Sequence, residues 1–277
     1  MNSKFQLRVQ RYGWDAAAKV YDELWQENLS PAHRAMFEMA DLKPGKRVFE
    51  MACGSGFVTL QAALQVGADG QVLATDISAE MIALLEQQKE SLKLDNIQAE
   101  RISAEDIDEL ADGSFDAALC ALGLMFLPDS DVGVKAMWQA LKPGGSAVAA
   151  VWGQRNNCAW ADIFPIVDSC VKSEVCPLFF SLGAGDSLRQ SFEKQGFESV
   201  KTHRIKTTLN FNNKADLLGA MIDGGAVALA AKRFDDTTRQ KVENEFLDSV
   251  SEYCVDDCYR IPAEFVVVKG EKFHPDS

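Results

Sequence analysis

From residue 46 to residue 152 short apolar runs alternate with longer stretches whose apolar positions recur at helical spacing. That alternation predicts βαβ units around a parallel sheet, because a strand buried on both faces reads as a continuous apolar run. Strands are expected at Lys46–Met51, Gln71–Thr75, Ile97–Ile102, Ala117–Leu122 and Ser146–Trp152. Helices are expected at Phe57–Val66, closed by Gly67, from the capping Ser78 to Leu92, and from Ser130 to Leu141 before the turn Pro143-Gly144-Gly145. Beyond Trp152 the pattern loosens. A helix is expected over Asp186–Lys194, a strand over Ser199–Phe211, helices within 213–252, and a last strand at Ile261–Val268.

The domain division that follows is 1–40 as an N-terminal helical cap, 41–153 as the ligand-binding core, and 154–184 as a cap insertion. Residues 185–212 return to the core, 213–256 form a second helical cap, and 257–277 hold the final strand and tail. The caps are expected over one end of the sheet.

With 28 Lys and Arg against 41 Asp and Glu, the chain has a formal charge of −13. Nucleic-acid binders replace counterions with basic groups, so this balance favours a small-molecule acceptor and argues against DNA or RNA. There is no run of about 18 apolar residues, so no membrane span is expected, and the polar start offers no signal peptide. The seven cysteines show no repeating framework, which fits reduced thiols and a cytoplasmic setting. Cys254 and Cys258, four apart, would share a face if helical and could bind a metal or form a redox pair; buried free thiols are the favoured alternative, and no metal is expected. The oligomeric state is not legible.

In a doubly wound sheet the ligand sits beyond the carboxyl ends of the strands, at the loop after the first strand. Here that loop reads Glu50-Met51-Ala52-Cys53-Gly54-Ser55-Gly56. Its glycines allow close approach of backbone to ligand, and the helix after it offers free N–H groups. Asp76, at the end of the second strand, is placed to accept from ribose hydroxyls. Glu50 would repel a pyrophosphate, and Thr59 replaces the third glycine of the dinucleotide pattern, so a cationic or zwitterionic ligand fits better than NAD.

With Val48–Gly56, Ala74-Thr75-Asp76-Ile77-Ser78 and Met81, Ser103-Ala104-Glu105, Asp112–Asp116 and Leu141–Gly145 in this order and spacing, the chain resembles the class I methyltransferases dependent on S-adenosylmethionine (SAM). The nearest branch acts on small molecules and includes ubiquinone and menaquinone biosynthesis enzymes. The resemblance implies a Rossmann-like α/β sheet of about seven strands, doubly wound and mostly parallel with an antiparallel C-terminal strand, plus helical cap insertions. It implies methyl transfer to a small acceptor, leaving S-adenosylhomocysteine.

It also implies roles. Glu50 and the backbone of Ala52, Cys53, Gly54 and Gly56 would hold the methionine moiety, Asp76 the ribose, and Ile77 and Met81 the adenine faces. Ser103, Ala104 and Glu105 form the matching stretch at the adenine edge, and the backbone near Cys120 and Ala121 would meet the methionine amine. Of the aromatic residues Tyr12, Trp14, Tyr21 and Trp25, Tyr21 is the expected lid contact. Ala52 and Ser103 depart from the family's glycine and aspartate; the first is tolerated if its φ is negative. No residue identifies itself as a general base, and His33, His203 and His274 are dispersed. Two rivals stay open: a SAM-binding regulator without catalysis, and an NAD-dependent oxidoreductase.

Overall fold

The computed structural model describes residues 3–107, 113–171 and 179–273. Asp112, Cys176 and His274 lie outside them. The first helix, α1, runs over Ser3–Ala40. The alternating core follows as β1 (Arg47–Met51), α2 (Phe57–Val66), β2 (Gln71–Asp76), α3 (Ala79–Leu92), β3 (Ile97–Arg101), β4 (Phe115–Ala121), α4 (Ser130–Ala140) and β5 (Leu141–Trp152). After it come α5 (Ile163–Cys170), α6 (Ser187–Lys194), β6 (Phe197–Phe211), α7 (Lys214–Leu218), α8 (Ala228–Ala231), α9 (Asp236–Ser249), β7 (Cys254–Val255) and β8 (Cys258–Lys272).

The strands form one sheet in the order β3-β2-β1-β4-β5-β8-β6, with the two-residue β7 paired to β8. Strands β1 to β5 are mutually parallel, and β8 runs antiparallel between β5 and β6. The chain winds outward from β1 in one direction through β2 and β3 and in the other through β4 and β5. A crevice therefore opens between the carboxyl ends of β1 and β4. Ala147 to Trp152 are all buried, as both covered faces of a central strand require. Ser78 caps α3 by accepting from the Met81 N–H at 3.2 Å.

Three expectations need correction. The first concerns the N-terminal segment. Helix α1 has 38 residues, about 57 Å at the α-helical rise, and its first half overhangs the crevice. Trp25, Leu29, Ala32 and Met36 repeat at helical spacing and belong to the buried core, so the second half is a core layer as well as the continuation of a cap. Pro31 lies within this half.

Secondly, Cys254 and Cys258 do not share a helix. They flank a hairpin turn at Asp256-Asp257, both with positive φ (50° and 62°), a turn whose twist suits adjoining antiparallel strands. Both thiols are free and half-buried rather than buried. Thirdly, the turn at 141–145 opens within a strand. Leu141 pairs with Phe115 and Ser146 with Ala117, and the residues between bulge out.

Among the described residues no helix is long and apolar enough to cross a membrane, and no cluster of His, Cys, Asp and Glu could hold a metal.

Candidate functional site: two joined chambers at the carboxyl edge of the sheet

The loop between β1 and α2 turns through three positive φ angles, Ala52 at 55°, Gly54 at 55° and Gly56 at 101°. This corrects the expectation at Ala52, whose φ is positive where only a negative value was anticipated to tolerate a side chain. A left-handed alanine costs about 1–2 kcal/mol. The turn is held by the Cys53 N–H donating to the Thr75 carbonyl at 3.0 Å and by the Gly56 N–H donating to the Cys53 carbonyl at 3.0 Å. Gly56 must lack a side chain, because a Cβ there would sit 2.5 Å from Leu85 Cδ1.

Asp76 is buried where β2 ends. One carboxylate oxygen accepts from the Gly54 N–H at 2.9 Å, the other from the Ser78 N–H at 2.8 Å. It thus ties the glycine loop to the start of α3, and each oxygen keeps a lone pair for a further donor. Burial raises its pKa, and the backbone donors partly oppose that rise.

Glu50 lies deeper, 1% exposed, and accepts from the Thr59 hydroxyl at 2.6 Å. It has no cationic partner among the described residues. Burial pushes its pKa up to about 8; the Thr59 hydrogen bond lowers it and nearby Asp76 raises it. Thr59, which stands where a dinucleotide site would have glycine, is therefore the hydrogen-bond partner of a buried acid.

A cleft with about 730 Å³ of empty space, the solvent at its mouth included, lies over this loop. Tyr21, Ala52, Gly54, Asp76, Ile77, Met81, Ser103, Ala104 and Ala121 all line it. Glu50, Cys53, Gly56, Glu105 and Cys120 do not. Glu50 and Cys53 sit beneath the loop, and Cys120 is buried within β4, its thiol pushed up to about 12 chiefly by burial. Glu105 reaches only the edge of the region, its N–H donating to the Ser103 hydroxyl at 3.4 Å.

Sequence reasoning missed Leu7, Gln10 and Thr75 as lining residues; Leu122, Gly123 and Phe126, within the apolar exit from β4 that the sequence offers as part of a substrate pocket, line this cavity with Leu127. The cavity's roof is the first half of α1. Asp15 fixes it by accepting from the Ser78 hydroxyl at 2.7 Å, and Gln88 by bridging Asp22 and the Ser55 carbonyl at 3.1 Å each.

Tyr21 stacks on Phe57 with ring centroids 5.9 Å apart. Burial, then Asp22 and Asp76, raise its phenol pKa well above the ordinary value, so it stays protonated.

A second chamber, with about 480 Å³ of empty space counting the solvent at its opening, adjoins the first. Trp14, Tyr21, Leu122 and Phe126 line both. Its remaining walls are apolar or glycine: Trp25, Met125, Trp152, Trp160, Phe164, Phe179 and Met221 among them. Edge-to-face and tilted rings build the lining, with Trp152 and Trp160 4.8 Å apart and Phe164 and Phe179 5.0 Å apart. Among the described lining residues Tyr21 is the only titratable one.

The insertion that closes this chamber is anchored at both ends. The Gly153 N–H donates to the Glu264 carbonyl at 2.6 Å, and the Gln154 N–H to the Glu264 carboxylate at 2.9 Å. Arg204 pairs with that carboxylate at 3.1 Å and donates to the carbonyls of Gly183, at 3.0 Å, and Gly185.

Comparison with known proteins agrees with this geometry. Residues 48–145 match the model of a methyltransferase domain. A ubiquinone/menaquinone biosynthesis C-methyltransferase of Stenotrophomonas maltophilia is 32% identical over 168 residues, 59% of this chain and 62% of the relative. A 2-phytyl-1,4-naphthoquinone methyltransferase of Nostoc is 32% identical over 149 residues, 52% of this chain and 65% of the relative. The chain thus spans less than two thirds of these relatives' length.

Among solved structures, Haemonchus contortus phosphoethanolamine N-methyltransferase 2 in complex with S-adenosyl-L-methionine has a TM-score of 0.57 at 17% identity, covering 94% of this chain and 57% of that one. That likeness is one of fold. Residues 48–145 thus match a methyltransferase domain, within a chain that over part of its length is similar to quinone C-methyltransferases.

Proposed function

We propose that this protein transfers a methyl group from SAM to a small, largely apolar, ring-bearing acceptor. The observation that carries the proposal is the pair of adjoining chambers. One has a polar floor at the glycine loop and Asp76, the other is walled by aromatic rings, and they meet at Trp14, Tyr21, Leu122 and Phe126.

The first chamber suits SAM on its own residues. Asp76 keeps acceptor capacity for ribose hydroxyls, Ile77 and Met81 offer apolar faces for adenine, and Ser103 and Ala104 line the adenine edge. Tyr21 covers the ligand from α1. Ala52, Gly54 and Ala121 border the place for the methionine moiety. Glu50, behind the loop and without a cation of its own, supplies negative charge towards an ammonium. SAM when bound supplies a methyl carbon activated by its sulfonium.

The chain's own contribution is orientation and exclusion of water. Holding two reactants in line is worth up to about 7–11 kcal/mol, and the apolar wall around Phe126 keeps water from competing. Since Tyr21 is held protonated, the second chamber offers no base among its described residues, so an ionisable acceptor gives its proton to solvent and enters as the anion. The acidic balance of the chain and its aromatic chamber favour a small molecule over a nucleic acid.

Calorimetric titration with S-adenosylhomocysteine and with NAD tests the cofactor. Binding of the first alone supports the reading, and binding of NAD alone overturns it. Incubation with methyl-labelled SAM and quinol or phenol acceptors tests catalysis; label retained in SAM across small-metabolite extracts would leave a regulatory SAM binder.

A further inference from the structure

Trp160 lies in the short helical turn Ala159–Asp162, directly after the anchored start of the insertion. It is 4% exposed and lines the aromatic chamber. Its indole nitrogen is buried, yet among the described residues it donates to nothing.

The neighbours of the ring are Trp152, Phe164, Phe179 and Phe180, at centroid distances of 4.8, 5.7, 6.0 and 5.6 Å. They present π-faces and edges, which are weak partners at most. The contrast with Trp25 in the same chamber is direct: its indole N–H donates to the Gly224 carbonyl at 2.9 Å. Burying a donor without a partner is costly, so natural structures leave few such groups, and those they leave call for a reason.

We propose that the Trp160 indole N–H is the acceptor-recognition donor of the second chamber, selecting ring compounds that carry a carbonyl or hydroxyl oxygen over the corresponding hydrocarbons. This rests on the proposed function, for it takes the aromatic chamber as the acceptor site. An oxygen on the ligand completes the buried Trp160 donor. A hydrocarbon of the same shape gains the apolar contact and leaves the donor unsatisfied. Trp160 touches the ligand without exchanging a proton, so its part is specificity and orientation.

The test uses 1-tetralone and tetralin, two-ring molecules of similar shape that differ by one carbonyl oxygen, with the protein saturated in S-adenosylhomocysteine. Wild type should bind tetralone about 10-fold more tightly than tetralin, and Trp160→Phe, which keeps an aromatic ring and removes the donor, should reduce that ratio to near one. In the wild-type protein labelled with 15N-tryptophan, one of five indole N–H signals should move downfield with tetralone and stay with tetralin.

This second readout does not depend on the variant's folding. A preference for tetralone that survives Trp160→Phe, or indole signals that respond alike to both ligands, overturns the Trp160 assignment and leaves the methyltransferase reading standing. If neither compound binds while S-adenosylhomocysteine does, the chamber is not an aromatic acceptor site and this inference falls with it.

Discussion

The methyl group of Ala52 occupies the space that a side chain on Gly123 would need. A Cβ built on Gly123 collides with it and comes within 2.8 Å of the Cys120 sulfur. The glycine loop and the exit from β4 are therefore fitted to one another across the floor of the cavity, and the alanine that departs from the family pattern is matched by a glycine opposite.

Gly123→Ala should accordingly destabilise the protein by about 1–3 kcal/mol, as overpacking does. Ala52→Gly alone should fall near zero, since relief of a left-handed alanine is offset by the chain entropy of glycine. The double variant should recover part of the Gly123→Ala loss, the Cys120 contact remaining. Urea denaturation of the four proteins checks this, and strictly additive losses would refute the contact.

Glu50 sets a pH dependence whose sign is fixed by its raised pKa of about 8. Between its ordinary value near 4.5 and about 8, the unfolded chain has lost this proton and the native protein keeps it. Unfolding then releases a proton, and ligand-free stability falls as pH rises through that window, by an amount on the order of a few kcal/mol. Glu50→Gln should remove the slope, raising Tm at pH 8 relative to wild type far more than at pH 5. The same acid must ionise to attract a cation, so S-adenosylhomocysteine should bind more tightly at pH 8 than at pH 6, with proton release visible as a buffer-dependent calorimetric enthalpy. Equal affinities at the two pH values would contradict it.

Asp76 joins two loops as well as facing the cavity. Asp76→Ala should cost about 1.5–3 kcal/mol of S-adenosylhomocysteine affinity, the range for hydrogen bonds to a charged group. It should also cost stability, because the N–H groups of Gly54 and Ser78 lose their acceptor. Asp76→Asn keeps one acceptor oxygen and should fall between. Calorimetry for affinity and thermal melts for stability separate the two effects, and an unchanged affinity removes Asp76 from the site.

Arg204 tests the clamp on the insertion. Replacing it by Met leaves the buried Glu264 carboxylate without its counter-ion and the Gly183 carbonyl without its donor, at about 1–3 kcal/mol given that the arginine is itself partly exposed. Limited proteolysis should then cut first near 154–184, and tetralone should bind more weakly while S-adenosylhomocysteine binds as before. Equal weakening of both ligands would show that the insertion supports the whole crevice.

Much of the core was legible because its signals are local. Apolar runs bounded by Gly67 and Ser78 place β1, α2, β2 and α3 within a residue or two of where they lie. The acid at Asp76 is found from its distance to the glycines.

What was not legible depends on partners distant in sequence. Helical periodicity in α1 says that Trp25 and Met36 are buried, and is silent on whether a sheet or a ligand buries them. Glu50 and Asp76 look alike as acids near a loop, and only the path of the backbone puts one on the cavity wall and the other behind it. A spacing of four between Cys254 and Cys258 fits a helix face and a hairpin equally. The Asp256-Asp257 pair, a residue type that tolerates left-handed φ, was the signal that could have decided it.

The wall shared by the two chambers has a consequence for how such a protein can change over generations. Under the proposed function Trp14, Tyr21, Leu122 and Phe126 border both the donor chamber and the acceptor chamber. A substitution among them that admits a larger acceptor also reshapes the seat of the methyl donor, which every acceptor requires. Diversification is therefore confined to the far wall, around Trp160, Phe164 and Met221, where a new ring can be accommodated without disturbing the donor.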